Sequence, residues 1–209
     1  MQAATPGSEQ GSEERPEGDR PRPGSAASNG SVGEPGARLL TAANALTAGR
    51  LAAAPVVAFA VSHGASVLAL GVFVFAVVSD VLDGRLARRS GGASAFGGLL
   101  DHATDATFVS AGLLACAVAG TVPLPLAPLV AAAFVQYAVD SRALQGRALR
   151  ASALGRVNGV AYFALLGVPV VRDGVGLGWP PDGLVRVLGW VLVGTTLVSM
   201  GLRLRRPRA

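Results

Sequence analysis

Residues 79–107 read SDVLDGRLARRSGGASAFGGLLDHATDAT, a stretch that sets four aspartates between two strongly apolar runs. Of the 209 residues 51% are hydrophobic, mean hydropathy is +0.48, and apolar stretches close to 20 residues long recur along the chain. About 20 apolar residues suffice for a helix to cross a bilayer, so the pattern predicts an all-α, polytopic membrane protein. Of 13 acidic residues, six (Glu9, Glu13, Glu14, Glu17, Asp19, Glu34) fall in the first 36 positions. Asp80, Asp83, Asp101 and Asp105 are four of the seven that remain, all inside one 26-residue window. All 18 basic residues are Arg. Most of them gather in connections and at the two ends of the chain, so the pI near 10.9 follows from membrane topology and gives no reason to expect a nucleic-acid partner.

On either side of this stretch the apolar runs divide into six spans near residues 40–62, 66–86, 98–119, 123–141, 157–172 and 184–203. The fifth is the shortest and contains Asn158, Gly159 and Pro169. The connections SHGAS and GTVPLP carry no Arg, nor does the segment from Asp173 to Gly183. Arg85, Arg88 and Arg89 follow the second span, Arg142, Arg147, Arg150 and Arg156 follow the fourth, and Arg203, Arg205, Arg206 and Arg208 close the chain. Positive charge is retained on the cytoplasmic side, which predicts six transmembrane helices with both termini cytoplasmic, in the plasma membrane. Homodimer formation is compatible with this reading.

Residues 1–36 are rich in Gly, Pro, Ser and Glu and nearly devoid of large apolar side chains. They cannot bury enough surface to offset the entropy of ordering and are expected to be a disordered tail ahead of a membrane domain at 37–209. The first apolar run follows Arg38 and is expected to be a retained span rather than a cleaved leader. The single cysteine, Cys116, lies in an apolar run and reads as a small packed hydrophobe.

On this topology the quoted stretch is the cytoplasmic end of helix 2, a turn, and the start of helix 3. Asp80 and Asp83 are three apart and Asp101 and Asp105 four apart, so each pair lies on one side of its helix and an antiparallel hairpin can bring the pairs together. Four carboxylates at the hydrocarbon boundary repel one another and need compensation. Hard oxygen donors without a His/Cys set favour Mg²⁺ or Mn²⁺, ions that bind a few carboxylates together with substrate phosphate oxygens. Gly84, Gly91, Gly92, Gly97 and Gly98 permit close approach of a ligand or of another helix, and Arg88 offers a planar donor for phosphate. Membrane carboxylates also occur in divalent-cation transporters, the competing class, but a transport path needs polar groups continuing across the bilayer.

Read in order, Asp80-x2-Asp83-Gly84-x2-Ala87-Arg88-x8-Gly97-x3-Asp101-x3-Asp105 resembles the signature of the CDP-alcohol phosphatidyltransferases at every fixed position. Upstream, NALTAGRLAAAP is similar to that family's first helix, with Asn44, Thr47, Arg50 and Pro55. The resemblance implies transfer of a phosphatidyl group from a CDP-linked lipid, usually CDP-diacylglycerol or a similar CDP-alcohol, to an alcohol with release of CMP, in phospholipid biosynthesis at the cytoplasmic face. It implies that Asp80, Asp83 and Asp101, with help from Asp105, hold two Mg²⁺ or Mn²⁺ ions. Asp105 is then also the general base, and Gly84, Ala87, Arg88 and Gly97 line the CDP pocket. The signature is common to members using different acceptors. The segment 135–156 lacks the Arg-Glu pair expected of a phosphatidylglycerophosphate synthase. Its Arg142, Arg147, Arg150 and Arg156 have two readings: a topology signal, or a grip on the phosphate of an acceptor such as glycerol 3-phosphate or inositol phosphate.

Overall fold

A computed structural model describes residues 35–89, 95–140 and 152–204, without the side chains of 35–44, 84, 86–89 and 95–96. These residues form six α-helices and no strand: α1 (Pro35–Ser62), α2 (Ser66–Arg89), α3 (Ala95–Val118), α4 (Leu126–Asp140), α5 (Ala153–Val175) and α6 (Asp182–Leu204). The expected tail, and Arg142, Arg147 and Arg150, lie outside the described residues. The short connections 63–65, 119–125 and 176–181 make α1 and α2, α3 and α4, and α5 and α6 antiparallel neighbours. The chain turns between α1 and α2 at Gly64, whose φ of 66° is a left-handed conformation that glycine adopts without steric cost.

Helix ends are set by local chemistry rather than by where hydropathy fades. α5 runs beyond the apolar window 157–172 at both ends, because Ser152 caps it by accepting the Gly155 N–H at 3.0 Å, and Gly176, at φ 76°, terminates it. Pro169 lies inside α5, and helix packing tolerates the lost hydrogen bond there. Arg172 fastens the turn into α6, donating to Asp182 Oδ1 at 2.7 Å and to the Pro180 carbonyl at 2.8 Å.

The packing suits lipid rather than water outside. Small residues fill much of the interior, among them Ala53, Ala54, Ala60, Ala69 and Ala76, with Phe108, Leu113, Leu126 and Leu166 filling the larger gaps. Large apolar residues such as Phe59, Val67, Leu124, Val160 and Trp190 face outward. Close helix approach through small residues, with apolar bulk turned out, is how helices associate where lipid and core are equally apolar. At the tightest crossings, a Cβ on Gly174 would lie 2.6 Å from Leu70 Cβ, and one on Gly189 2.3 Å from the Pro123 ring.

Four helices carry segments long and apolar enough to cross a membrane: Ala45–Ser62, Ser66–Asp83, Ala153–Val175 and Asp182–Leu204. α3 falls short in hydropathy because Asp101, His102 and Asp105 occupy its first half, and α4 has 15 residues as described. α1 packs on α2 and α3, α2 on α5, α3 on α4 and α5, and α6 on α4 and α5. This arrangement leaves the end of α2 and the start of α3 beside α1, where the four aspartates meet.

Candidate metal centre and active-site cavity

The paired aspartates come together because α2 ends, and α3 begins, on the same side of the bundle. One oxygen from each of Asp80, Asp101 and Asp105 lies within 4.8 Å of the others. Asp83, one turn along α2, is only 8% exposed and stands outside this trio. Arg50 of α1 links all four and is wholly buried. Its Nη1 donates to Asp105 Oδ1, to Asp101 Oδ1 at 3.0 Å and, more loosely, to Asp80 Oδ1 at 3.4 Å. Its Nη2 donates to Asp83 Oδ2 at 2.6 Å. One guanidinium leaves most of the negative charge uncompensated.

The residues fit a divalent cation. Three hard oxygen donors converge, and Asp83 Oδ1 is buried without a hydrogen-bond partner among the described residues, leaving acceptor capacity free. His102 is outside the donor group, its Nδ1 lying 3.0 Å from the Gly98 carbonyl one turn back. The donor chemistry is that of Mg²⁺ or Mn²⁺ rather than Zn²⁺.

Beside the carboxylates lies a cavity of about 600 Å³. Asp80, His102 and Asp105 border it together with Arg156 of α5 and Arg203 of α6. Val77, Ala106, Val109, Val130 and Phe134 supply apolar wall. Towards the bundle interior, Tyr162 and Thr196 also face it, their hydroxyl oxygens 2.5 Å apart. Thr196 in turn donates to the Leu192 carbonyl at 2.6 Å, so the Tyr162 hydroxyl is the donor to Thr196.

Of the expected phosphate-binding arginines, Arg156 lies on the cavity. Arg203 reads in sequence only as one of the tail arginines of the positive-inside pattern, and the fold carries it to the same cavity. Its guanidinium sits over the Tyr137 ring, 4.8 Å from the centroid. Gly155 makes room for it: a Cβ there would stand 2.7 Å from Arg203 Nη2. An arginine close to a helix end reads as a topology signal in sequence, and only the approach of α6 to α5 distinguishes it. Of the expected CDP-pocket residues, Gly97 is exposed on the first turn of α3. Gly84, Ala87 and Arg88 fall on the last turns of α2, where side-chain surroundings lie outside the description.

The family model described as CDP-alcohol phosphatidyltransferase matches residues 40–199. Two curated relatives, both named "Probable phosphatidylglycerophosphate synthase", come from Mycobacterium tuberculosis strains CDC 1551 / Oshkosh and ATCC 25618 / H37Rv. Each is 36% identical over 93 residues, covering 42% of this chain and 44% of the relative. The chain thus matches less than half the length of these relatives. No solved structure matches it.

Proposed function

Because the chain belongs to the CDP-alcohol phosphatidyltransferase family, we propose that it transfers a phosphatidyl group from CDP-diacylglycerol to a phosphorylated polyol, glycerol 3-phosphate or inositol phosphate, releasing CMP. The observation that carries this reading is a single cavity bordered by Asp80 and Asp105 and by Arg156 and Arg203. Carboxylates that can hold cations beside a diphosphate, and guanidinium groups that can hold a second phosphate, are what joining two anionic substrates requires. The names of the curated relatives support glycerol 3-phosphate, whereas the missing Arg-Glu pair in 135–156 speaks against it, so both esters stay in the proposal.

The chain's own residues divide the work. Asp80, Asp83, Asp101 and Asp105 would hold two Mg²⁺ or Mn²⁺ ions, which when bound neutralise the diphosphate and the departing CMP. Asp105 accepts the proton of the acceptor hydroxyl as that oxygen forms a bond to the phosphorus carrying the diacylglycerol. The bond from that phosphorus to the bridging oxygen breaks, and CMP leaves with the electron pair. Arg156 and Arg203 hold the acceptor phosphate and offset its repulsion from the diphosphate. Gly84, Ala87, Arg88 and Gly97 bind the CDP moiety, as the matching motif implies. Lipid chains remain in the bilayer along the outward apolar surface.

All six helices would span the membrane, with both termini and the aspartates cytoplasmic, as the arginine distribution requires. Away from the aspartates the buried packing of Val57, Ala60, Leu113, Cys116, Leu126 and Val170 is apolar, which favours a transferase over a cation path.

The test is to incubate the purified protein with CDP-diacylglycerol, Mn²⁺ and, in turn, glycerol 3-phosphate, inositol phosphate, glycerol, inositol and serine, analysing CMP and lipid. A lipid product should form with one of the phosphate esters and not with its neutral parent. Equal use of a neutral alcohol would contradict the acceptor assignment.

A further inference from the structure

We propose that Arg50 is a built-in countercation of the aspartate cluster, and that it sets how tightly divalent cations bind there. The inference rests on the metal-dependent reading above but concerns a residue outside the ligand set. Among the described residues, Arg50 is the only basic side chain ion-paired to any of the four aspartates. It is wholly buried, so its charge is poorly screened by solvent. Its Nη1 draws on Asp80, Asp101 and Asp105, the three carboxylates whose oxygens converge within 4.8 Å. A divalent cation at that trio therefore competes with the guanidinium for the same carboxylates and is repelled by it.

The geometry also supplies a place for Arg50 to withdraw. Its Nη2 is held by Asp83 Oδ2 at 2.6 Å. Arg50 Nε and Asp83 Oδ1 are both buried without a hydrogen-bond partner among the described residues. Two unused groups on an existing ion pair allow a second bond to form between them, giving the fork-on-carboxylate arrangement that guanidinium favours. Arg50 thus gives up the trio while keeping Asp83, whose two oxygens each retain a second lone pair for a cation, and α1 stays tied to α2. Binding of the cation and retreat of the arginine are one exchange, so the cluster is never left without positive charge.

Direct Mn²⁺ binding to the full chain in detergent, followed by the electron paramagnetic resonance of free Mn²⁺, tests this without reference to turnover. Arg50→Gln removes the competitor and its repulsion, and should bind Mn²⁺ at least about ten-fold more tightly than wild type. Its melting temperature should fall in EDTA and return towards wild type in excess Mn²⁺, because the cation replaces the lost charge. Equal or weaker Mn²⁺ binding by Arg50→Gln, or equal loss of melting temperature in EDTA and in Mn²⁺, would show an ordinary structural arginine and overturn the proposal. Should that variant fail to fold, the pair Asp83→Asn and Arg50→Gln/Asp83→Asn decides the matter. The double variant has three carboxylates and no guanidinium, the same net charge of −3 as the four carboxylates and one guanidinium of the wild type. It should bind Mn²⁺ at least about ten-fold more tightly than Asp83→Asn alone, and equal binding would overturn the proposal. If wild type itself binds no Mn²⁺, the metal-dependent reading fails, and with it the role of Arg50.

Discussion

Arg156 and Arg203 face one cavity from different helices. Arg156 lies on the first turns of α5, next to the Ser152 cap, whereas Arg203 lies near the end of α6 and is steadied by the Tyr137 ring. A charge-assisted hydrogen bond is worth about 1.5–3 kcal/mol, so losing one that serves a single substrate changes that substrate's binding about ten-fold or more. Arg203→Gln and Arg156→Gln should each raise KM for the phosphorylated acceptor by at least about ten-fold while leaving KM for CDP-diacylglycerol within about three-fold. Steady-state kinetics with each substrate varied in turn provides the check, and parallel rises in both constants would remove the acceptor role. The sequence is legible where spacing carries meaning, in the aspartates at three- and four-residue intervals, whereas Arg50 is marked by the resemblance alone. It was opaque for Arg203, because a basic residue beside a span has a sufficient explanation in topology. The separation of Asp83 from the other three was equally hidden, since a helical interval says which face a residue occupies and nothing of what stands between two faces.

Helices in this chain are held by close approach, and Gly174 shows the constraint most sharply. A Cβ there would meet Leu70 Cβ at 2.6 Å and the Ser66 carbonyl oxygen at 3.1 Å, neither of which is the free end of a flexible side chain. Replacing a helical glycine by alanine ordinarily gains up to about 1 kcal/mol in helix propensity. Overpacking costs about 1–3 kcal/mol, so the clash should win at this site. Gly174→Ala is therefore expected to melt a few degrees below wild type. Gly194→Ala, where nothing lies within 4 Å of the added carbon, should be neutral or slightly stabilising. Thermal unfolding in detergent measures both, and equal melting temperatures would show that α2 and α5 yield at this crossing. Element existence was readable from apolar runs, including α5, which continues through Pro169. Its ends were not, because Ser152 and Gly176 act through a capping hydrogen bond and a left-handed backbone rather than through hydropathy. α3 shows the converse: Asp101, His102 and Asp105 depress its hydropathy, so it is weakest as a membrane segment where it matters most for the site.

For the molecule as a whole, the arginine distribution and the aspartate cluster point to the same face. A reporter fused after Ala209 should lie in the cytoplasm, while cysteines placed at His63, Ala119 and Leu177, beside the turns at Gly64, Gly120 and Gly176, should react with an impermeant reagent from outside. Labelling only after permeabilisation would invert the orientation and place the cavity on the outer face. Carboxylates from α2 and α3 are expected to act together as one cation-dependent phosphatidyl-transfer site. The decisive measurement is CMP release from CDP-diacylglycerol, in the presence of Mn²⁺ and a phosphorylated acceptor, by wild type and by Asp101→Asn matched for folded protein. Wild type should release CMP, lose that activity in EDTA and recover it when Mn²⁺ is restored. Asp101→Asn should be slower by at least about a hundred-fold, because one lost anionic ligand disorganises the whole site. CMP release by Asp101→Asn at the wild-type rate, or by wild type in EDTA, would show that these carboxylates do not form a cation-dependent transfer site.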